Sequence, residues 1–475
     1  MAPYISTIVF AVCLVFPPFW PLLILFFPFL LYFISSNFLL HYPTLLFGQR
    51  KFEPNSALFR RVSRKCTSTS TSTSSTSPPS LPPLPLCHRL GSGEHPENSL
   101  LAASSLLRLS QRSSSSSVGV VPVLHLDVTP TLDGRLLVLH DLPPFERNVL
   151  KLTGFDVDPR RTQFKDIPKR YKSRIPVNPL ADPGGYIETG VGPGAGAERA
   201  GICEFGELLQ LVGNDADLVI EIWGTGEGIV ESWPGGDCVV TKVRNDIVRA
   251  RGGTDGVVWG NAISDEIRTR CERVDPSIPV LCTTSQYLMT VLLYYTCLLP
   301  FFPLPKSPTV YLAVLISPSR YTRLFLGALP PFCRVDSLSY HSSSPLSRFF
   351  RTLPSLTVTA SVLVLNYVTR VPSMWQHLRQ RGYPVVATLS NGPEEWEYAK
   401  DVNMTGVITD YPERMKRTFS LPARDCLQTT ATTTIVGGGG SSNSPGVRSV
   451  WTTTARGRES TGKAAASATE STNTF

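Results

Sequence analysis

The stretch LHLDVTPTLDGRLLVLHD, residues 124–141, decides how the fold is interpreted. Its first half is an apolar run that contains His125 and Asp127, which are two residues apart and so point to the same face of a strand. Its second half is another apolar run, which ends in His140 and Asp141. Burying a charged group inside a strand is costly unless the group has a partner. The stretch therefore predicts strands whose polar side chains meet at one site.

Short apolar runs that end in polar residues recur outward from this stretch. Together with the two runs of the stretch itself they are PLCHRLG, VPVLHLDV, RLLVLHD, DLVIEIW, DGVVWGN, IPVLCTTS, YPVVATLSN and TGVITDYP. Segments compatible with helices, such as ENSLLAASSLLRL and MWQHLRQRG, separate most of them. This alternation is typical of an α/β fold of the (β/α)8 TIM barrel type, which takes about 250 residues. We expect one barrel over residues 85–418, with RLLVLHD as its third strand.

The beginning of the chain has the composition of a membrane segment. Residues 4–40 contain no charged side chain, and this length exceeds the ~20 residues that cross a bilayer. We expect residues 1–45 to be a transmembrane anchor, either one kinked span or a two-pass hairpin, because prolines interrupt positions 17–21. The basic flank that starts at Arg50 favours a cytosolic barrel. The expected location is therefore a membrane with the catalytic domain facing the cytosol, and the endoplasmic reticulum or another endomembrane is a candidate.

Three other segments have distinctive compositions. Residues 46–84 are basic and rich in Ser, Thr and Pro, which predicts a linker. Residues 419–475 are rich in Gly, Ser and Thr, which predicts a disordered tail. Residues 286–305 are apolar and long enough to span a bilayer, but their prolines and their place inside the barrel favour a membrane-facing insertion beside the mouth of the site. A second transmembrane helix is the alternative, and it would separate the two halves of the barrel.

Charge and cysteine usage limit the partners. The net charge is +8, but the basic residues are scattered, which favours attraction to anionic lipid surfaces; we expect no nucleic-acid partner. The ten cysteines form no C-x-x-C motif, so a structural zinc site is not expected. Reduced thiols in a cytosolic domain and a few disulfides in a lumenal domain both fit this spacing.

The histidines and carboxylates at the ends of the runs suggest phosphodiester chemistry. His88 and His140 each end an apolar run and precede a charged residue. Cleavage of a phosphodiester needs a base, an acid and positive charge that offsets the phosphoryl oxygens. Asp127 and Glu221 lie inside apolar strands, where we interpret them as metal ligands rather than as hydrogen-bonded carboxylates. For His125 the residues alone leave open a metal ligand or a buried, hydrogen-bonded imidazole.

Two further runs end in residues of undecided role. Trp259 and Asn261 end the strand in the run DGVVWGN and are candidates to line the mouth of the site, although core packing suits a tryptophan there equally well. Asp410 closes the last strand. Capping of the next turn and binding of a substrate are equal alternatives for its carboxylate.

Three separated motifs resemble a known family. HRLGSGEHPENS, LHLDVTPTLDGRLLVLHD and GVITDYP are similar, in order and spacing, to the motifs of the glycerophosphodiester phosphodiesterases. Over residues 41–418 the chain looks closest to the membrane-anchored lysophospholipase D branch, in which a phrase like HYPTLLFGQRKF follows the anchor and WGN follows a later strand. The resemblance implies a (β/α)8 barrel that hydrolyses glycerophosphodiesters.

The resemblance also implies roles for individual residues. The catalytic pair is His88 and His140, the phosphate-contacting residue is Arg89, the substrate-binding acid is Glu97, and the metal ligands are His125, Asp127 and Glu221. The implied cofactor is a divalent metal, Mg or Ca. His125 stands where the family has a glutamate, and an imidazole also suits Mn or Zn.

Two more positions depart from the family pattern. Leu90 stands at a glycine position and Trp223 at a lysine position. We therefore consider two functions: a metal-dependent lysophospholipase D, with water-soluble glycerophosphodiesters as the near alternative substrate, and a membrane-tethered relative with an impaired site that binds phospholipid or protein. A phospholipase C acting on inositol lipids is a more remote rival, against which the HD and TD-x-P motifs speak.

Overall fold

The fold is seen in a computed structural model. The structure describes residues 20–48, 56–61, 82–113, 122–141, 147–177, 185–189, 200–223, 239–314, 371–388 and 390–420. All of these residues belong to one structural unit, Met1–Arg424. Residues 1–19 of the predicted anchor, most of the predicted linker and almost all of the predicted tail lie outside the described residues.

Eleven β-strands occur in the described part of the chain. They are β1 (Leu84–Cys87), β2 (Val123–Pro130), β3 (Leu136–Val138), β4 (Arg174–Pro176), β5 (Tyr186–Glu188), β6 (Asp217–Ile222), β7 (Val257–Gly260), β8 (Val280–Leu281), β9 (Thr309–Val314), β10 (Val385–Thr388) and β11 (Gly406–Thr409).

The described ranges also contain eleven named α-helices, besides a short helical segment at residues 57–61. They are α1 (Trp20–His41), α2 (Thr44–Phe47), α3 (Leu100–Ser113), α4 (Asn148–Thr153), α5 (Phe205–Val212), α6 (Val239–Arg251), α7 (Asp265–Val274), α8 (Thr284–Tyr295), α9 (Pro372–Gln380), α10 (Pro393–Asp401) and α11 (Pro412–Ser420). Short 3-10 turns lie at His88–Leu90, Pro159–Arg161, Phe164–Asp166 and Leu299–Phe301.

Eight parallel strands close into a ring. Their order is β1, β2, β6, β7, β8, β9, β10 and β11, and β11 pairs again with β1. In the pairing of β2 with β6, Asp127 lies opposite Glu221. A helix follows most of these strands and returns the chain for the next one, as parallel pairing requires. The predicted (β/α)8 barrel is therefore confirmed, although one of its strands differs from the prediction.

The expected third barrel strand lies outside the ring. RLLVLHD contains β3, which pairs antiparallel with β2, with Val138 opposite Val128. The two strands are joined by a short turn in which the Thr131 amide donates to the Arg135 carbonyl at 2.8 Å. A connection this short allows only an antiparallel hairpin. The prediction that RLLVLHD is a barrel strand is thus wrong, and the ring instead contains β9, TVYLAV, which the sequence analysis did not count.

Side chains at alternate positions of the strands pack in two separate cores, one inside the ring and one between the strands and the helices. The ring interior is filled by Leu84, Leu86, Val123, Val219, Val258, Leu281, Val310, Val386 and Ile408, with Leu58 and Phe59 beneath them. The outer faces, which include Leu124, Leu126 and Trp259, pack against the helices. Because the side-chain period of a strand is two, this alternation places His125, Asp127 and Glu221 inside the ring, above an apolar floor.

The N-terminal helix α1 packs on the outside of the barrel. The Tyr32 hydroxyl donates to the Thr296 carbonyl at 2.8 Å, and His377 Nδ1 lies 3.0 Å from the Leu40 carbonyl oxygen. Among the residues that the structure describes, we find no helix with the length and hydropathy needed to cross a bilayer.

The apolar segment 286–305 is part of the regular barrel. It forms most of α8, the helix that follows β8, and the turn that leads toward β9. The expectation of an insertion that interrupts the barrel is therefore corrected. α8 begins next to the carboxyl end of β8 and runs away from it, so only its first turn lies beside the mouth of the barrel.

Candidate active site

Polar side chains collect at the carboxyl ends of the barrel strands. His88 follows β1, Asp127 and Glu221 lie near the ends of β2 and β6, and Asp410 follows β11. The carboxyl ends of all eight strands meet at one face of the barrel, where barrel enzymes place their sites. His140 follows β3 rather than a barrel strand, yet the β2–β3 hairpin carries it to this face.

His88 forms a buried pair with Asp410. His88 Nδ1 lies 2.7 Å from Asp410 Oδ1, the Ser92 hydroxyl donates to the same oxygen, and Asn391 Nδ2 donates to Asp410 Oδ2 at 2.6 Å. Burial alone would raise the pKa of Asp410, but the His88 charge and these hydrogen bonds outweigh it and lower the pKa well below its usual range. An ionised Asp410 holds the proton of His88 on Nδ1, so proton exchange with a substrate falls to Nε2.

Asn391 fixes the carboxylate from the other side. Its Oδ1 accepts hydrogen bonds from the Asp410 amide at 2.7 Å and from Thr409 Oγ1 at 3.0 Å. Sequence reasoning missed both Asn391 and Ser92. The signal for Asn391 was its place at the end of the run YPVVATLSN, after a strand like the other site residues.

Asp127 lies at the centre of the site. Its Oδ1 accepts a hydrogen bond from Trp223 Nε1 at 2.8 Å, and its Oδ2 accepts one from Asn98 Nδ2 at 3.3 Å. Arg89 Nε lies 3.7 Å from the same Oδ2. Both carboxylate oxygens of this buried residue are therefore engaged by neighbouring side chains.

The electrostatics of Asp127 reflect the cationic groups around it. Burial alone would raise its pKa, but neighbouring charges lower the pKa below its usual value. In decreasing order of effect, these charges belong to His140, Arg89, His125 and His88. The structure thus brings together both members of the predicted catalytic pair and the predicted phosphate-contacting arginine.

The backbone at Arg89 and Leu90 is in an unusual conformation. Their φ angles are +48° and +62°, in the left-handed region that non-glycine residues seldom adopt. Leu90 nevertheless directs its side chain into the core between strands and helices, where it is fully buried. This burial offsets the cost of the left-handed backbone, about 1–2 kcal/mol per residue. The leucine at the family's glycine position therefore packs into the core.

Glu97 joins two cations. Its Oε2 lies 2.9 Å from Lys151 Nζ and 3.7 Å from Arg89 Nη1, and the Glu97 side chain is buried. The structure therefore places this predicted substrate-binding acid where it orients positive charge. Lys151, on α4, was missed because it follows His140 in a segment with no recognisable motif.

Trp223 stands where the family pattern has a lysine. Its ring contacts the His140 ring edge-on, with the ring centroids 4.5 Å apart, while its Nε1 donates to Asp127. Trp223 therefore replaces a positive charge by a neutral donor that packs against one catalytic candidate and binds the central carboxylate.

The predicted metal ligands are near one another but do not complete a metal centre. His125 Nε2 lies 3.9 Å from Glu221 Oε1. Burial alone would lower the pKa of His125, but Glu221 and then Asp127 outweigh it, so the pKa is raised. Within the described ranges, no three or more His, Cys, Asp or Glu side chains are grouped to hold a metal ion. His125 and Glu221 fit as two metal ligands, whereas the Asp127 oxygens accept hydrogen bonds from Trp223 and Asn98. Metal binding by these residues remains a prediction. We assign no chemical step to a metal.

Trp259 and Asn261 are not brought to the centre of the site. Trp259 is fully buried in the core between the barrel and its helices. Asn261 Nδ2 donates to the Ile222 carbonyl at 2.9 Å, and its Oδ1 accepts from the amides of Ile263 and Ser264 at 2.8 and 2.9 Å. Trp259 packs in the core, and Asn261 shapes the loop after β7.

The fold and the site together define a class of enzyme. A (β/α)8 barrel carries two imidazoles, one of them fixed by a buried carboxylate, with Arg89 and Lys151 beside them. This arrangement suits acid–base chemistry on an anionic ester.

Comparison with known proteins shows which enzymes the chain is similar to. No family model matches the sequence. Lysophospholipase D GDPD3 of Homo sapiens is 27% identical over 329 residues, which are 69% of this chain and 82% of the relative. Lysophospholipase D GDPD1 of Homo sapiens is 23% identical over 394 residues, which are 81% of this chain and 93% of the relative. These relatives confirm the predicted resemblance to the glycerophosphodiester phosphodiesterases, on the lysophospholipase D side, and the relatives themselves are phosphoric diester hydrolases.

Solved structures also align with the chain. A glycerophosphodiester phosphodiesterase from Agrobacterium tumefaciens aligns with a TM-score of 0.38 and 14% identity, over 70% of this chain and 99% of that one. A glycerophosphoryl diester phosphodiesterase domain from Mycobacterium tuberculosis aligns with a TM-score of 0.41 and 14% identity, over 71% of this chain and 99% of that one.

Proposed function

We propose that this protein hydrolyses glycerol-based phosphodiesters, specifically lysophospholipids, by releasing the head-group alcohol and leaving lysophosphatidic acid. The observation that carries this proposal is the convergence of His88, Arg89 and His140 around Asp127 at the carboxyl face of the barrel. The names of the curated relatives, lysophospholipases D, support the substrate class.

The chemistry follows from the two imidazoles. A hydroxyl group next to the phosphodiester attacks phosphorus while one imidazole takes its proton and the other gives a proton to the head-group oxygen. The phosphorus–oxygen bond to the head group breaks, and a cyclic phosphate forms. Water then opens the cyclic phosphate with the two imidazoles in exchanged roles. Arg89 and Lys151 offset the negative charge on the phosphoryl oxygens.

Cofactor and location are part of the same proposal. A divalent metal, Mg or Ca by resemblance and Mn or Zn by the imidazole of His125, would bind at His125 and Glu221, and Asp127 would join them only by giving up its hydrogen bonds to Trp223 and Asn98. The barrel would work at the cytosolic face of an endomembrane, such as that of the endoplasmic reticulum, where its lipid substrate is found. The uncharged N-terminal run and its basic flank support this location.

The test is a hydrolysis assay on the purified full chain. Lysophosphatidylcholine and glycerophosphocholine are compared as substrates in Mg, Ca, Mn or Zn, and after chelation, with choline release as the readout. We expect faster release from the lipid and loss of activity in His88→Ala and His140→Ala. Choline release that persists in both variants would refute the proposed mechanism, and faster release from glycerophosphocholine would refute the lipid substrate.

A second function is favoured by the contact between Trp223 and Asp127. A neutral tryptophan bound to the central carboxylate suits an impaired relative that binds phospholipid or protein without turnover. If that is the function, the parent protein releases no choline in the hydrolysis assay. The combined change Leu90→Gly, His125→Glu and Trp223→Lys, which restores the family residues, then produces activity at least tenfold above background, by analogy with restoring one transition-state donor.

A further inference from the structure

The side chain of Trp223 is fixed against the central carboxylate of the site. Trp223 and Glu221 are two residues apart at the end of β6, so both side chains point into the ring. The Trp223 amide donates to the Val128 carbonyl at 2.8 Å, which continues the pairing of β6 with β2. The indole Nε1 donates to Asp127 Oδ1, also at 2.8 Å. Backbone pairing and this hydrogen bond together hold the indole at Asp127.

The second oxygen of Asp127 is contacted from other directions. Asn98 Nδ2 donates to Oδ2 at 3.3 Å, and Arg89 Nε lies 3.7 Å from the same oxygen. The charge of the Arg89 guanidinium opposes the approach of a divalent cation to this carboxylate. The indole N–H of Trp223 can only donate, so it cannot itself become a metal ligand. A metal ion that binds Asp127 must therefore compete with these three neighbours.

The other two predicted ligands do not hold each other tightly. His125 Nε2 and Glu221 Oε1 lie 3.9 Å apart, which is longer than a hydrogen bond. Two side chains bind a divalent metal only weakly, since zinc takes about four ligands and calcium about six to eight. The metal affinity of the site therefore depends on whether Asp127 joins this pair.

The grouping of the ligands distinguishes two roles for Trp223. A donor beside a ligating carboxylate often orients that carboxylate and strengthens metal binding. In that role Trp223 would leave Asp127 gathered with His125 and Glu221 around one point. Within the part of the chain that the structure describes, no three such side chains are grouped to hold a metal ion. The hydrogen bond from Trp223 thus favours the arrangement that lacks the third ligand.

We propose that Trp223 competes with the metal for Asp127 and so sets the metal affinity of the site. Of the three contacts to Asp127 described above, that of Trp223 is the shortest, so its release is the main cost of adding the third ligand. The same indole contacts the His140 ring, with the ring centroids 4.5 Å apart. Metal binding therefore also changes the surroundings of one proposed catalytic imidazole. The inference rests on the proposed function in taking a divalent metal as the ligand.

The test is a calorimetric titration of the purified full chain with zinc, without substrate. Trp223→Phe keeps an aromatic ring beside His140 but removes the N–H group, so zinc should bind about tenfold to a hundredfold more tightly than in the parent. Trp375→Phe is the matched control, because it removes a buried indole N–H that donates to the Tyr287 hydroxyl at 3.0 Å, outside the site. The zinc affinity of this control should equal that of the parent.

Fluorine NMR shows the release of the indole directly. The chain has seven tryptophans, and after labelling with 5-fluorotryptophan the Trp223 and Trp375 signals are identified by their loss in the two variants. Saturating zinc should shift the Trp223 signal, because the indole loses Asp127 as its acceptor. The Trp375 signal should stay in place. An unmoved Trp223 signal would overturn the proposal.

The direction of the affinity change decides between the two roles of Trp223. Equal or weaker zinc binding in Trp223→Phe, or no zinc binding in either protein, would overturn the proposal. Weaker binding would show that Trp223 orients Asp127 for the metal. Glu221→Gln should lower the zinc affinity of Trp223→Phe, and an unchanged affinity would mean that zinc binds elsewhere and that the proposal is wrong.

Two controls separate this inference from folding and from hydrolysis. Each variant is compared with the parent by circular dichroism and thermal melting, and Trp223→Leu is used where Trp223→Phe does not fold. His88→Ala combined with Trp223→Phe should bind zinc more tightly than His88→Ala alone. A parent that shows the difference in zinc affinity but hydrolyses no phosphodiester would refute the proposed function and leave the competition at Asp127 in place.

Discussion

Replacement of Asp410 by asparagine tests the organisation of the catalytic pair. Asp410→Asn keeps the size of the side chain but removes the charge that holds the proton of His88 on Nδ1. The two atoms are 2.7 Å apart, and Asp410 is buried. Since Asn391 still contacts the new amide, we expect the variant to fold.

The size of the effect follows from this geometry. A hydrogen bond to a charged group contributes about 1.5–3 kcal/mol, and 1.36 kcal/mol corresponds to a tenfold change in rate, so the loss is about tenfold to 150-fold. The same change in a Ser-His-Asp triad costs about 10⁴-fold, which sets an upper bound. We expect the fall in kcat, with KM changed by less than about twofold, because Asp410 acts through His88.

The matched control is a second histidine–carboxylate pair outside the site. His95 Nε2 lies 3.0 Å from Glu413 Oε1 near the start of α11. Glu413→Gln should leave kcat within about twofold of the parent, since this partly exposed pair does not touch His88 or Asp410. Steady-state choline release measures both variants. An Asp410→Asn enzyme with the parent's kcat, or an equal loss in Glu413→Gln, would refute the reasoning.

Three further changes extend the tests. Lys151→Met should lower kcat/KM about tenfold to a hundredfold, since it removes a cation beside Arg89, whereas Lys172→Met, nearby but outside the site, should not. Burial raises the pKa of Glu94 to about 7, so ionisation of Glu94 destabilises the folded protein as the pH rises from about 4.5 to 7. Glu94→Gln should therefore reduce the fall of Tm over this pH range. An unchanged dependence of Tm on pH would contradict the raised pKa. Leu90→Gly should lower the free energy of unfolding by about 1–3 kcal/mol in denaturant melts, because lost packing outweighs the relieved backbone strain; a more stable variant would contradict this.

The site could be predicted from the sequence where charged residues or histidines lie at the ends of strands. Buried charged residues in β2 and β6 and the histidine after β1 predicted the site, because such residues are too costly to keep without a purpose. β3 was misassigned because an apolar run has the same appearance in a hairpin and in a barrel. The Asp133–Gly134 turn signal, which indicates a hairpin, was the observation that should have decided it.

Partners supplied by loops and helices were beyond sequence reasoning. Asn391 and Lys151 reach the site only after the ring has closed and the segment after His140 has folded back, so no local pattern reveals them. The same holds for α1: its uncharged composition was evident, but its docking by Tyr32 depends on the position of the last turn of α8.

The segment of residues 57–61 has a practical consequence for shortened versions of the protein. A chain that is trimmed to begin at residue 82, so that the apolar N-terminal segment is removed, would keep each proposed catalytic side chain. It would also remove Leu58 and Phe59, which close the end of the barrel opposite the chemistry, and leave that end open to water. Low yield or aggregation of such a fragment would then be explained by the loss of Leu58 and Phe59 from that end of the barrel. It would not be evidence against the proposed catalytic residues.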